Sequence, residues 1–235
     1  MKLLLSVAIV LLTTMVQAQN IKGAWRMGDP KGKNAVLIID SNYLVFSQYD
    51  LAGKEFDYTE GGTFNLKDGE LVYTSEFHSK KAERVGEVET WKVKSKGKKL
   101  ELTTSGNKKL TLDRIDSSSS PMAGVWHITG RVQEGSDKMV KIHQTGTRKT
   151  IKVLSDTRFQ WIAIDPAAKG FYGTGGGVYT AKDGKYTENI EFFSRDNSRV
   201  GASLIFNWKL DNGQWDHSGL SSKGDPIHEI WEKVK

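Results

Sequence analysis

Apolar and polar residues alternate along most of this chain, and turn residues break the alternation at roughly ten-residue intervals. Alternation of period two places successive side chains on opposite faces of a strand. The first half predicts strands near 23–28, 34–40, 43–49, 57–66, 70–78, 85–94, 98–104 and 108–115. The second half predicts strands near 124–130, 149–155, 158–165, 171–181, 185–193, 200–210, 214–220 and 226–234. Turns fall at Asp40-Ser41-Asn42, Leu51-Ala52-Gly53, Lys67-Asp68-Gly69, Lys96-Gly97-Lys98 and Ser105-Gly106-Asn107. Residues 131–147 form an insertion peculiar to the second half, and Met139–His143 within it predicts an extra strand. No helical period of apolar positions runs through the chain beyond its first residues.

The two halves are copies of one plan. Gly61-Gly62, the turn Lys67-Asp68-Gly69, Glu76, Phe77 and Ser79 recur without gaps as Gly176-Gly177, Lys182-Asp183-Gly184, Glu191, Phe192 and Ser194. Asp-Gly is strong hairpin punctuation. The triple glycine Gly175-Gly176-Gly177 lacks the Lys-Ser/Thr of a phosphate loop and predicts a bulge or barrel kink instead. Gly23-Ala24-Trp25 opens one copy and Gly124-Val125-Trp126 the other, with each tryptophan expected to plug a barrel end. Eight short strands per copy predict an all-β protein: two tandem small eight-stranded antiparallel barrels. The division is residues 19–116 and 123–235, with 117–122 as a polar linker ending at Pro121 and Met122.

Lys2, the apolar run Leu3–Leu12 and the small-residue site Val16-Gln17-Ala18 make residues 1–18 a signal peptide, expected to be cut before Gln19. The expected location is secreted or periplasmic, and no run is long enough for a spanning helix. There is no cysteine, hence no disulfide, no lipid-attachment site and no thiol nucleophile. The net charge of +6 is spread evenly, with 17 basic and 15 acidic residues in 20–116 and 16 and 13 in 117–235. No basic block stands out, so nucleic acid is not an expected partner.

The pattern Gly124-x-Trp126, Lys152, Ser155–Phe159-x-Trp161, Gly175–Gly177-x-Tyr179, Tyr186–Glu188, Trp215-x-His217 and Glu229-x-Trp231 resembles the lipocalin-like domains of unknown function found in secreted Bacteroidota proteins. The resemblance covers most of 123–235 and the first copy weakly. It implies a calycin-type barrel with room for a small ligand and brings no catalytic residue with it.

Each copy serves as a control for the other. Leu71, Tyr73, Leu100, Leu102, Leu110 and Leu112 align with Tyr186, Glu188, Trp215, His217, Glu229 and Trp231. Val36 and Ile38 align with Lys152 and Leu154, and Tyr43 and Val45 with Phe159 and Trp161. The first copy is thus expected to be solidly filled. The second sets Lys152, Glu188, His217 and Glu229 among indoles, with Glu229 a candidate partner for Lys152. Buried charge is costly unless paired. The expected ligand-binding residues are therefore Lys152, Trp161, Tyr186, Glu188, Trp215, His217, Glu229 and Trp231. The expected function is binding of a small amphipathic or hydrophobic ligand in the second barrel. An enzyme using His217 with a carboxylate is the alternative, as is a filled structural protein offering Phe171, Tyr172 and Tyr179 to a protein partner or a glycan. No nucleophile elbow, metal-ligand spacing or cofactor motif is present: His228-Glu229 lacks a second histidine and the two face opposite ways on a strand.

Overall fold

A computed structural model describes residues 21–28, 32–133, 135–136, 138–143 and 145–234; the expected signal peptide lies outside them. The first copy comprises β1 (Gly23–Met27), β2 (Asn34–Asp40), β3 (Tyr43–Asp50), β4 (Glu55–Lys67), β5 (Glu70–His78), β6 (Val88–Lys96), β7 (Lys99–Thr103) and β8 (Lys109–Arg114). Neighbours pair antiparallel in chain order, and β8 returns to β1, closing a barrel. The second copy comprises β9 (Gly124–Val132), β10 (Met139–Lys141), β11 (Lys149–Leu154), β12 (Arg158–Asp165), β13 (Gly170–Lys182), β14 (Lys185–Phe193), β15 (Ser203–Asp211), β16 (Gln214–Leu220) and β17 (Pro226–Lys233). Here β17 pairs with β9 and closes an eight-stranded barrel, leaving β10 as a short flap on β9. Short 3-10 turns, Ala82–Arg84 and Asn197–Arg199, precede β6 and β15.

The duplicated residues have physical reasons. The register of β4 on β5 shifts between Gly61 and Gly62, and that of β13 on β14 between Gly176 and Gly177. A Cβ on Gly62 would lie 2.0 Å from the Thr74 carbonyl oxygen, and one on Gly177 2.0 Å from that of Asn189. Only glycine lets the strands approach this closely at the bulge. At the closed end of each barrel an indole is pinned. Trp25 Nε1 donates to the Ile21 carbonyl at 2.8 Å, and Trp126 Nε1 to that of Met122 at 2.9 Å. Arg114 covers the Trp25 ring and Lys233 the Trp126 ring. Both tryptophans therefore act as plugs, as the sequence suggests, and Met122, read as linker, packs in the second core.

The two barrels pack against each other through their outer faces. Val36, Ile38, Tyr43, Val45, Tyr49 and Phe77 of the first form one apolar cluster with Val125, Ile151, Val153, Ile162, Ile164 and Phe192 of the second. Polar groups cross the same seam. Gln160 is buried and contacts Ser47 at 2.8 Å and Thr59 at 2.9 Å. Lys149 donates to both Glu76 oxygens at 2.8 Å, while Glu191 accepts from Tyr49 and Arg158. Glu76 and Glu191, identical between the copies, thus face the partner barrel. Asp116 ties the connection down, accepting from Ala24 N at 2.6 Å and from Ser155 Oγ at 2.8 Å.

Candidate functional site

Register settles which residues face inward. Trp25 pairs with Leu37 and Trp126 with Lys152, so Lys152 is the counterpart of Leu37. Phe46 stands across from Leu37 as Trp161 stands across from Lys152. The alignment of Lys152 with Val36, and of Trp161 with Val45, is therefore wrong by one residue. A slip of one turns a strand's side chains to the other face. Val36 and Ile38 look into the seam between barrels, while Leu37 and Lys152 look inward. The pairings of Tyr73 with Glu188, Leu102 with His217, Leu110 with Glu229 and Leu112 with Trp231 hold.

Six of the eight expected residues line one cavity of about 460 Å³ in the second barrel: Lys152, Trp161, Glu188, His217, Glu229 and Trp231. Tyr186 and Trp215 lie beneath them, fully buried, with their rings 5.8 and 5.0 Å from the His217 ring. Lys152 is the hub. Its Nζ donates to Glu188 Oε1 at 2.9 Å, each side chain only 5% exposed. The same ammonium lies 4.8 Å from the Trp215 ring centre, 5.0 Å from Trp231 and 5.3 Å from Tyr186. These distances are within cation–π range. Glu188, not Glu229, is its ion-pair partner.

Glu229 faces other groups. Its Oε2 accepts from Trp231 Nε1 at 3.2 Å and lies 3.4 Å from His217 Nδ1, and its Oε1 lies 3.5 Å from Arg131. Burial alone would raise the Glu229 carboxyl, but His217, Lys152 and Arg131 outweigh it and hold the group below the usual glutamate range. His217 moves the same way for other reasons: burial first, then the Lys152 charge, push it down and keep the ring neutral. Neither His217 nitrogen makes a hydrogen bond, nor do the Tyr186 hydroxyl and Trp215 Nε1. Unmet buried donors and acceptors are rare in folded proteins.

The sequence reading missed the apolar wall formed by Ile190, Phe193, Leu204, Phe206 and Ile227, and the mouth formed by Arg131, Arg195 and Lys223. Phe206 was legible as the counterpart of Trp91, since both stand across from an inward residue of the preceding strand. The mouth cations come from bends and a strand end, where alternation carries no signal. Tyr179, read as an exposed contact, is buried and donates to the Ser155 carbonyl at 2.7 Å. Phe171 packs at the seam, and Tyr172 is exposed beneath Arg148.

The first barrel departs from expectation more sharply. It is not solid, but holds a cavity of about 590 Å³ whose floor includes Leu37, Leu44, Leu102 and Leu112. Leucine at these positions is shorter or slimmer than the Lys152, Phe159, His217 and Trp231 that replace it in the second copy.

Among the described residues, no cluster of three or more histidines and carboxylates is placed to hold a metal ion, and no helix is long and apolar enough to cross a membrane. Residues 121–235 match the model of a family described as a domain of unknown function, DUF4488. No curated protein matches the chain. Two solved structures of the Helicobacter pylori beta clamp, one in complex with carprofen and one bound to a DNA ligase peptide, align at 10% and 12% identity, each with a TM-score of 0.15. The alignments cover 90% and 91% of this chain and 55% and 58% of the clamp chains. Scores this low carry no argument about fold or function.

Proposed function

We propose that this is an exported binding protein whose second, lipocalin-like barrel holds a small amphipathic molecule with an acidic head. One observation carries the reading: the buried Lys152–Glu188 pair replaces Leu37 and Tyr73 of the first copy. A barrel of this kind closes without charges at those positions, and burying an ion pair there is expensive. The ammonium is in contact with one carboxylate and leaves donors facing the cavity. Arg131, Lys152, Arg195 and Lys223 stand against two carboxylates, Glu188 and Glu229, so the lining carries a positive excess. A carboxylate or sulfate head would bind near Lys152, and an apolar body would lie along Ile190, Phe206 and Trp231. The neutral His217 ring supplies a further donor and acceptor. The basic, apolar and small-residue segments of residues 1–18 support export.

The test is intrinsic tryptophan fluorescence and thermal shift with octanoate, octyl sulfate and octanol. The acidic amphiphiles should raise the melting temperature and shift the emission of the native protein, octanol much less. A His217→Leu variant should keep its fold and bind more weakly. Equal responses to all three, or none, would overturn the reading. Turnover of an octyl ester that disappears in the His217 variant would instead favour a hydrolase.

A further inference from the structure

We infer that the first barrel is a second, separate binding site, and that it takes an amphipathic cation: an amine head on an apolar body. The cavity is of ligand size. Its inner part is aliphatic, with Phe46, Tyr58 and Trp91 as aromatic walls. Two of its carboxylates stand where the second copy has glycine or an apolar residue. Glu60 occupies the place of Gly175, and Glu89 that of Leu204.

Two of these groups lack what they need. Among the described residues, Glu60 has Arg84 at 3.6 Å and His78 at 4.0 Å as its nearest ion-pair partners, neither within hydrogen-bonding distance, although its side chain is only 23% exposed. Burial raises its carboxyl above the usual range despite Arg84. Beside it the Tyr73 hydroxyl is buried, 1% exposed, and makes no hydrogen bond. Arg84 meets the shortfall only in part: its Nη1 lies 3.6 Å from Glu60, beyond hydrogen-bonding distance, while its Nε and other Nη are engaged by Glu87 and Glu89. Glu89 is in turn held by Trp91 Nε1 at 2.8 Å. The lining has three carboxylates, Glu60, Glu87 and Glu89, against Arg84 and the exposed Lys108. An ammonium placed between Glu60 and Tyr73 donates to both and is close to the Tyr58 and Trp91 rings, where cation–π attraction adds to the ion pair. An anion would meet Glu60 and Glu89 at that point.

The equivalent arginine underlines the difference. Arg199 of the second copy is not part of its cavity lining; it bonds Asp196 at 2.9 Å and the carbonyl of Ser222 at the cavity's edge. Arg84 instead organises the carboxylates at the mouth of the first.

The experiment is calorimetric titration of the full chain with octylamine, octanol and octanoate, repeated for Glu60→Gln and Lys152→Met. Octylamine should bind the native protein at least tenfold more tightly than octanol. Glu60→Gln should weaken octylamine by about tenfold or more, the loss expected for one charge-assisted contact. Lys152→Met should leave octylamine unchanged and weaken octanoate. Octylamine binding no better than octanol, or unaltered by Glu60→Gln, overturns the inference. Should the Glu60 variant fail to fold, the Trp91 indole N–H resonance of the native protein decides: it should move with octylamine and hold still with octanol, and the reverse is fatal to the proposal.

Discussion

The two barrels share topology, bulge, plug and turn, yet their interiors are polar in different places. In the second, the charges lie deep, on β11, β14 and β17 around the neutral His217 of β16, beneath a basic mouth. In the first, the floor is aliphatic and the charges stand near the rim, on β4, β6 and the 3-10 turn before β6. What the copies keep in common is therefore what the fold requires, and what differs marks where selection has acted on something else. The glycine pairs are kept because backbone oxygens leave no space for a Cβ. Glu76 and Glu191 are kept because each meets the other barrel. Lys152, Glu188, His217 and Glu229 have no such excuse, since their counterparts are Leu37, Tyr73, Leu102 and Leu110.

The largest effects come from breaking that contrast halfway. Lys152→Ala or Glu188→Ala leaves one charge buried alone and should cost about 3–5 kcal/mol in urea unfolding. Replacing both by the first copy's residues, Lys152→Leu with Glu188→Tyr, should cost about 1 kcal/mol or less, or stabilise. A double variant as weak as either single would make the pair a structural necessity. The seam should respond symmetrically: Phe77→Ala and Phe192→Ala each remove a buried ring from the shared cluster and should each cost about 3 kcal/mol. A loss confined to one of them would show that the barrels unfold as separate units. Gly62→Ala and Gly177→Ala force a methyl against a carbonyl oxygen and should cost about 1–3 kcal/mol apiece, read as a lowered melting temperature.

The smallest effect is on pH dependence. The folded pKa of His217 lies below its unfolded value near 6.5, so its contribution is fully present above that pH and is lost as pH falls toward the folded value. Glu229 is also depressed; its contribution persists above about 4.3 and is lost as pH falls through the folded value. His217→Leu, which copies Leu102, should flatten the stability profile between neutrality and about pH 5 relative to the native protein. Parallel profiles would mean that the ring titrates alike in the folded and unfolded chain.

Strand positions were legible almost throughout, because alternation and Asp-Gly or Asn-containing turns act locally. The predicted and observed limits of β2, β5, β12, β14 and β16 coincide. Facing residues were legible where a tight hairpin fixes register, as on β5, β14, β16 and β17. They were misassigned on β2 and β3, where both faces are apolar and Val36, Ile38, Tyr43 and Val45 face the seam. There one face lines the barrel and the other the seam, so Val36, Leu37, Ile38 and Ile39 read as one continuous run. No local signal announced the seam, because packing between domains is a tertiary fact. The open first cavity was hidden for a related reason: a leucine in a barrel looks the same in sequence whether or not its neighbours reach it. Lys152 was legible as a member of the site but its partner was not, since distance along the chain does not choose between Glu188 and Glu229 until the strands are placed.

We propose that the charged interior of the second barrel exists for a ligand and not for the fold. The most direct measurement is calorimetric titration of octanoate into the native protein and into the Lys152→Leu, Glu188→Tyr double variant, with unfolding of both followed in urea. The variant should be as stable as the native protein, and octanoate affinity should fall at least tenfold. A variant that binds octanoate as well as the native protein does, or one that loses several kcal/mol of stability while the native protein binds nothing, would contradict it.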